Sequence, residues 1–289
     1  MSGAAGSSQK LEEALHSLVS QVIQSVPPQS QSVAKRYFDL VAPEDVITRE
    51  PRNLAGLINA HVALATDRPV GTARVAAFAP TAAVEGWDSV NSIVQVVTDD
   101  MPFLVDSLTA ALSQLGHEIR LVIHPIFAVK RDASGTLIEV LDQDASQGIP
   151  EGARAESWMS IAIARETDES ALRQIATVVS EVLLDVRHAV SDWSGMVKRA
   201  NEIAQQLHAG TSGFADTEIN DAISFMEWLA DEHFTFTGFA EYDYSKSAGG
   251  LEPVSGTGLG ILRGGSREDL VALAIRDQHK GAAAPLLVV

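Results

Sequence analysis

Cysteine is absent from all 289 residues. That alone excludes disulfides, thiolate nucleophiles, zinc–thiolate sites and iron–sulfur clusters. Basic residues are scarce: 21 Lys and Arg stand against 38 Asp and Glu, for a formal net charge of −17 and a sequence pI of 4.8. Such a balance repels nucleic acid and anionic membrane surfaces, so neither is expected as a partner. No apolar run approaches the roughly 18 residues of a membrane-spanning helix. The first residues, Met1 to Ser8, have neither the basic nor the apolar part of a signal peptide and read as a loosely structured start. These absences lead to the expectation of a cytoplasmic protein. What is present is ordinary: 46% apolar and 20% charged residues, enough for a sizeable core in about two domains.

Periodicity supplies the organisation. Leu11, Leu15, Leu18, Val19, Val22, Ile23 and Val26 recur at helical spacing until Pro27 and Pro28 stop them. Further helices are expected over 32–40 and 53–65, so residues 1–67 read as a helical N-terminal segment. A β-rich unit follows. Residues 71–78 are a possible strand, and 92–98 are a better one, too apolar for a strand with one wet face. Pro102 suits a first helical turn; Leu104, Leu108, Ala111, Leu112 and Leu115 give the helix its apolar face, and Gly116 its stop.

Residues 118–130 read as a long strand in which Pro125 implies a bulge or an edge position. A turn at 132–135 leads to a hairpin partner over 137–141, then a strand over 158–164. A long amphipathic helix follows, carrying Leu172, Ile175, Val179, Val182, Leu183 and Val186. Strand, helix, three strands and helix make an α+β sandwich, a mostly antiparallel sheet with helices on one face, assigned to residues 68–192. Residues 193–232 read as a helical linker. Residues 233–289 read as the start of a second α+β domain, with a β segment over 234–244 and a short helix over 269–279. The closing run, Pro285 to Val289, is apolar and β-branched, as if a strand were cut, which suggests a piece of a longer protein.

Two stretches carry a resemblance. One is Ile93 to Ser107, with its Asp99, Asp100, Met101, Pro102, Phe103, Leu104, Val105, Asp106, Ser107 string, continuing to His124, Pro125 and the Lys130, Arg131, Asp132 turn. The other is Trp228 to Tyr242, followed by Gly258 to Arg263. Both resemble the N-terminal region of the large bacterial NAD-specific glutamate dehydrogenases, over residues 70–289. The resemblance implies a parent enzyme that oxidises L-glutamate to 2-oxoglutarate and ammonium with NAD in a catalytic domain far toward its C-terminus. It implies no cofactor and no catalytic residue in the present residues, which are expected to be inactive alone. It also implies an ACT-like (βαββαβ, ferredoxin-like) fold, a module that binds amino acids or assembles subunits. The expected partners are the protein's own catalytic domain, other subunits of a homo-oligomer, and an amino-acid effector.

In the ACT signature an apolar strand runs into an acidic residue, a proline, a glycine and a helix. The effector-binding candidates are therefore Asp99, Asp100, Met101, Pro102, Phe103 and Leu104. Phe103 stands where the signature has glycine, and a side chain there would fill the space a ligand needs. Asp99 and Asp100 have two readings, as ligands for an effector ammonium or as caps at the helix N-terminus. His117 and His124 lack metal-ligand spacing, and His124 reads as a structural histidine. Gly256, Gly258 and Gly260 lack the strand and helix that a dinucleotide fingerprint requires, and read as a loop. Asp231, Glu232 and His233 read as a solvated turn. Trp158, Phe225, Trp228, Phe234, Phe236 and Phe239 read as core and interface packing.

Overall fold

The structure is a computed structural model, and it describes residues 2–209, 215–245 and 250–263. The chain divides into two compact units, Met1–Leu183 and Leu184–Val289.

The first unit opens with helices α1 (Ser2–Ser25), α2 (Gln31–Arg36), α3 (Pro43–Val46) and α4 (Pro51–Ala65). The expected loose start is corrected: α1 reaches back to Ser2. Its apolar stripe is used as its spacing predicts, with Leu18, Val22 and Val26 buried. Next come β1 (Arg74–Phe78), β2 (Ser92–Asp99), α5 (Leu104–Gln114), β3 (Ile119–Ile123), β4 (Ile126–Arg131), β5 (Leu137–Asp144), β6 (Arg154–Ile163) and α6 (Glu169–His208). The six-stranded sheet has the order β1-β2-β6-β4-β5, with β3 also paired to β6. Every pairing is antiparallel.

Pro125 explains why residues 118–130 are two strands. It has no N–H to give to a ladder, so the chain breaks at His124 and Pro125. β3 then pairs with Ser160–Ile163 and β4 with Arg154–Ser157 of the same strand. The Pro125 carbonyl still serves, accepting the Trp158 N–H at 3.1 Å. Gly116, at φ 84°, ends α5 as expected. The His117 N–H reaches back to the Leu112 carbonyl, and the Gly116 N–H to that of Ser113, a Schellman closure.

Alternation along β2 and β6 sorts the core into two faces. Ile93, Val97, Trp158 and Ala162 join one cluster with α1, α2 and α4, through Leu18, Val22, Val33, Tyr37, Leu54 and Ile58. The lead-in helices thus pack on the sheet of their own chain. Val94, Val96, Met159 and Ile161, of opposite parity, are fully buried outside that cluster. Leu108 and Leu112 of α5 and Ile175 and Val179 of α6 are also buried outside it. The lead-in therefore covers the sheet face that the ACT-like helices leave bare.

The second unit starts within α6, and the 192/193 boundary drawn from the sequence also falls inside this helix. α7 (Asp216–Trp228) continues into a π turn, Leu229–His233. Its Met226 and Leu229 pack with Ala200 and Ala204 of α6. The expected strand over 234–244 is only two short pieces, β7 (Gly238–Phe239) and β8 (Tyr242–Ser245). These pair with β10 (Leu259–Gly260) and β9 (Gly250–Pro253) respectively. Asp192 fixes this end, accepting the Gly260 N–H at 2.8 Å and Arg263 Nε at 2.9 Å. The helix expected over 269–279 lies outside the described residues. Among those described, no helix is long and apolar enough to cross a membrane.

His61 of α4 is fully buried against Trp158, with ring centroids 5.3 Å apart. Its Nε2 lies 3.1 Å from the Val96 carbonyl and so must donate. Nδ1 therefore accepts the Tyr37 hydroxyl at 2.6 Å. Burial pushes this imidazole down to about 4, partly opposed by the bond to Val96. The unfolded chain then takes up the proton first. The stability associated with neutral His61 is complete above pH 6.5 and lost as the pH falls toward 4, about 3 kcal/mol in all. Denaturant titrations across this window should show the loss, and His61→Gln should flatten most of it while starting from lower stability. An unchanged slope in the variant would rule out the buried neutral histidine as its source.

Candidate functional site

The loop between β2 and α5 was the sequence candidate, and the structure sets it against a buried ion cluster. Glu156, the third residue of β6, opens that strand's buried stretch and is itself fully buried. Two arginines satisfy it. Arg131, the last residue of β4, approaches edge-on, with Nε 2.6 Å from Oε1 and Nη2 2.9 Å from Oε2. Arg68, just beyond α4, places Nη2 2.6 Å from Oε1. Trp158 Nε1 adds a bond to Oε2 at 3.2 Å.

The arginines have no idle ends. Arg131 Nη1 donates to the carbonyls of Ala65 and Gly135, both at 2.8 Å. Arg68 Nη1 donates to the Thr72 carbonyl, and its Nη2 also meets Asp99 Oδ1 at 2.6 Å. Burial alone would raise the Glu156 carboxyl. The hydrogen bonds and charges of Arg131 and Arg68 outweigh it and hold the group below the usual carboxylate range. Gly135, at φ 97°, is required here, because a Cβ would sit 2.5 Å from the Arg68 carbonyl oxygen.

Beside this cluster runs a second polar chain. The Ser157 hydroxyl lies 2.6 Å from Asp100 Oδ1 and 2.9 Å from His124 Nε2. Its single proton goes to the carboxylate, so His124 donates from Nε2. The serine is central here, and the imidazole is a donor rather than a base. This ordering cannot activate a hydroxyl nucleophile, although Ser, His and Asp are all present. Burial lowers the His124 imidazole, against the pull of Asp100. The structural reading of His124 is thus satisfied by a specific bond.

The six candidates fall out as follows. Asp99 is held by Arg68, and Asp100 by Ser157, with the Asp100 N–H donated to the Ala155 carbonyl. Met101 is half-buried, Pro102 is exposed in a turn, and Leu104 is buried as the first residue of α5. The capping reading of Asp99 and Asp100 is corrected. The N-cap residue is Phe103, and no side chain caps it. Helix α5 begins at Leu104, so Pro102 lies before its first turn.

Phe103 is the one described non-glycine residue at positive φ, 71°. It holds the left-handed conformation that glycine would take at that place in the signature. Its side chain is 48% exposed, so it is not packed into a closed core. Arg68, Arg131, Glu156 and Ser157 were not singled out from the sequence as site residues. The available signal was Glu156, an isolated acid at the mouth of an apolar strand, where burial demands a cationic partner. Among the described residues, no group of three His, Asp or Glu side chains is spaced to hold a metal ion.

Two outcomes follow. Glu156→Gln leaves two buried guanidiniums facing a neutral amide, and should lower the unfolding free energy by about 3–5 kcal/mol in denaturant titrations. A loss under about 1 kcal/mol would mean that the cluster behaves as an exposed pair. Phe103→Gly relieves a left-handed residue, a strain of roughly 1–2 kcal/mol, against a smaller entropic penalty for glycine. It should raise the melting temperature; a decrease would mean that the aromatic ring packs more favourably than its exposure indicates.

Comparison with known proteins places this geometry. The family described as glutamate dehydrogenase, ACT1 domain, matches residues 33–179, from the lead-in helices through the sheet into α6. The NAD-specific glutamate dehydrogenase of Pseudomonas aeruginosa is 30% identical over 223 residues, covering 77% of this chain and 14% of that protein. That of Halomonas elongata is 33% identical over 181 residues, covering 62% of this chain and 11% of that protein. That of Mycobacterium tuberculosis is 27% identical over 218 residues, 74% of this chain and 13% of that protein. The chain thus spans only 11% to 14% of the length of these relatives. With about half of its residues matched, including both helical layers and the sheet between them, the chain belongs to the glutamate dehydrogenase ACT1 domain family.

Proposed function

We propose that this chain is the non-catalytic regulatory and assembly region of an NAD-dependent glutamate dehydrogenase. The whole protein would convert L-glutamate and NAD to 2-oxoglutarate and ammonium, with NAD bound outside the present residues. The observation that carries this reading is the state of the candidate loop. Both of its carboxylates have protein partners: Asp99 meets the buried Arg68 guanidinium, and Asp100, at an exposed position, accepts the Ser157 hydroxyl. A carboxylate neutralised by a buried guanidinium has little field left for a ligand ammonium or for acid–base chemistry. The loop therefore serves as a structural joint, and the ACT-like module, through its sheet edges or helix faces, serves contact with the protein's own catalytic domain and with other subunits of a cytoplasmic homo-oligomer.

A second reading, an amino-acid-sensing module, is favoured by one observation. α5 starts without a side-chain cap, and Phe103 keeps the backbone conformation of the signature glycine. Uncapped N–H groups at a helix start suit a carboxylate. The two readings part in experiment. The purified chain is expected to show no glutamate-dependent NAD reduction; measurable turnover would overturn the non-catalytic assignment. A thermal-shift screen of the twenty amino acids should leave the native chain unmoved. A ligand at 100 times its dissociation constant would add about 2.7 kcal/mol, and a shift of that size would favour the sensor. A shift seen only in Phe103→Gly would identify the phenyl ring as what closes the loop to ligands.

A further inference from the structure

Helix α7 has two apolar faces, and packing uses only one. Ile223, Met226 and Leu229 are buried. The outer face carries Phe225 and Trp228, 44% and 48% exposed. Their rings stack at 6.3 Å with an interplanar angle of 16°. The π turn Leu229–His233 then brings His233 alongside Trp228, at 5.1 Å and 21°. The result is a slab of three near-parallel rings on the surface, assembled by an irregular turn of the kind that recurs at functional positions. An exposed tryptophan in such a slab is not what core formation requires, since the core side of the helix is already filled.

The formal charges of α7 itself are of one sign, and two histidines meet acids at this surface, His208 at 3.7 Å from Glu227 and His233 at 3.8 Å from Asp231. α7 contains Asp216, Glu218, Asp221 and Glu227 and no Lys or Arg. Asp221 lies one turn before Phe225, and Asp231 follows Trp228; both are exposed. Flat π surfaces flanked by carboxylates match one side chain above others. A guanidinium is planar, stacks on aromatic rings and pairs with carboxylates, while a lysine ammonium does only the last of these well. A second copy of the same acidic face would be repelled, and nucleic acid is disfavoured by the net charge of −17.

We propose that the Phe225–Trp228–His233 face is a docking surface for an arginine-bearing protein segment, independent of the loop at 99–104. The test uses the full chain and a fluorescein-labelled hexapeptide alternating glycine and arginine, with a lysine counterpart, followed by fluorescence anisotropy at physiological ionic strength. The arginine peptide should bind about five-fold more tightly than the lysine peptide. Trp228→Ala should weaken it by a similar factor, whereas Trp193→Ala, at another partly exposed tryptophan, should not. Asp221→Asn and Asp231→Asn, both at exposed positions, should also weaken it. Circular dichroism checks that each variant is folded. Equal affinity for the two peptides, or binding indifferent to both Trp228→Ala and the aspartate variants, would reduce the effect to attraction by an acidic surface and overturn the proposal. Absence of binding would overturn it as well.

Discussion

Glu156 is the constraint around which the first unit closes. A buried carboxylate is tolerable only with full compensation, and here it comes from chain segments far apart in sequence. Arg131 lies 25 residues away and Arg68 88 residues away. Each arginine carries its surplus N–H groups to backbone carbonyls at a joint: Ala65 at the end of α4, Thr72 before β1, and Gly135 in the β4–β5 turn. The cluster thus pins the lead-in helices, the hairpin turn and β6 to one another. Ion pairs of this kind add little net stability over an apolar replacement, because desolvation offsets attraction. Their effect is on arrangement: a shift of β6 by one residue would carry Glu156 to the other face of the sheet and strand both guanidiniums.

The same cluster determines what the β2–α5 loop can be. Asp99 is drawn inward by Arg68, and its neighbour Asp100 is drawn to Ser157. With both acids bonded to protein groups, Met101 and Pro102 are what remains before Phe103 and the start of α5. Proline fixes its own φ, so the remaining rotation falls on Phe103, which adopts φ 71°. The phenylalanine retains the backbone shape of the ACT loop while its acids do structural work.

Elements set by local pattern were legible in the sequence. The α5 face, its glycine stop and the strands read at 92–98 and 137–141 follow from spacing and turn chemistry. What stayed hidden was set at long range. Helical periodicity in α1 and α4 says that one face is buried but not against what, and the answer was the far side of the sheet. Arg68 and Glu156 are each unremarkable in their own windows, and only the long-range packing of the turn after α4 against the β4–β5 turn and β6 brings them together. Phe103 is the reverse case. Its place in the signature was visible, but no propensity scale assigns phenylalanine to a left-handed conformation. In the second unit, alternation over 234–244 overstated the strand. Only Gly238–Phe239 and Tyr242–Ser245 are paired, and each short piece finds its partner between residues 250 and 260.

The distribution of charge links these observations. The buried cluster combines two guanidiniums with Glu156 and Asp99 and is close to neutral, so among the described residues the negative excess lies almost wholly on the surface. A folded core gains nothing from that excess, since surface acids repel one another. It does govern association. Any protein surface that meets this chain must bring cations or lose affinity to repulsion, and the acid-lined aromatic face of α7 concentrates that requirement in one place. Assembly through such a face would be steered by charge and held by stacking. The neutral, fully paired cluster beneath the β2–α5 loop would keep the scaffold fixed while contacts form elsewhere.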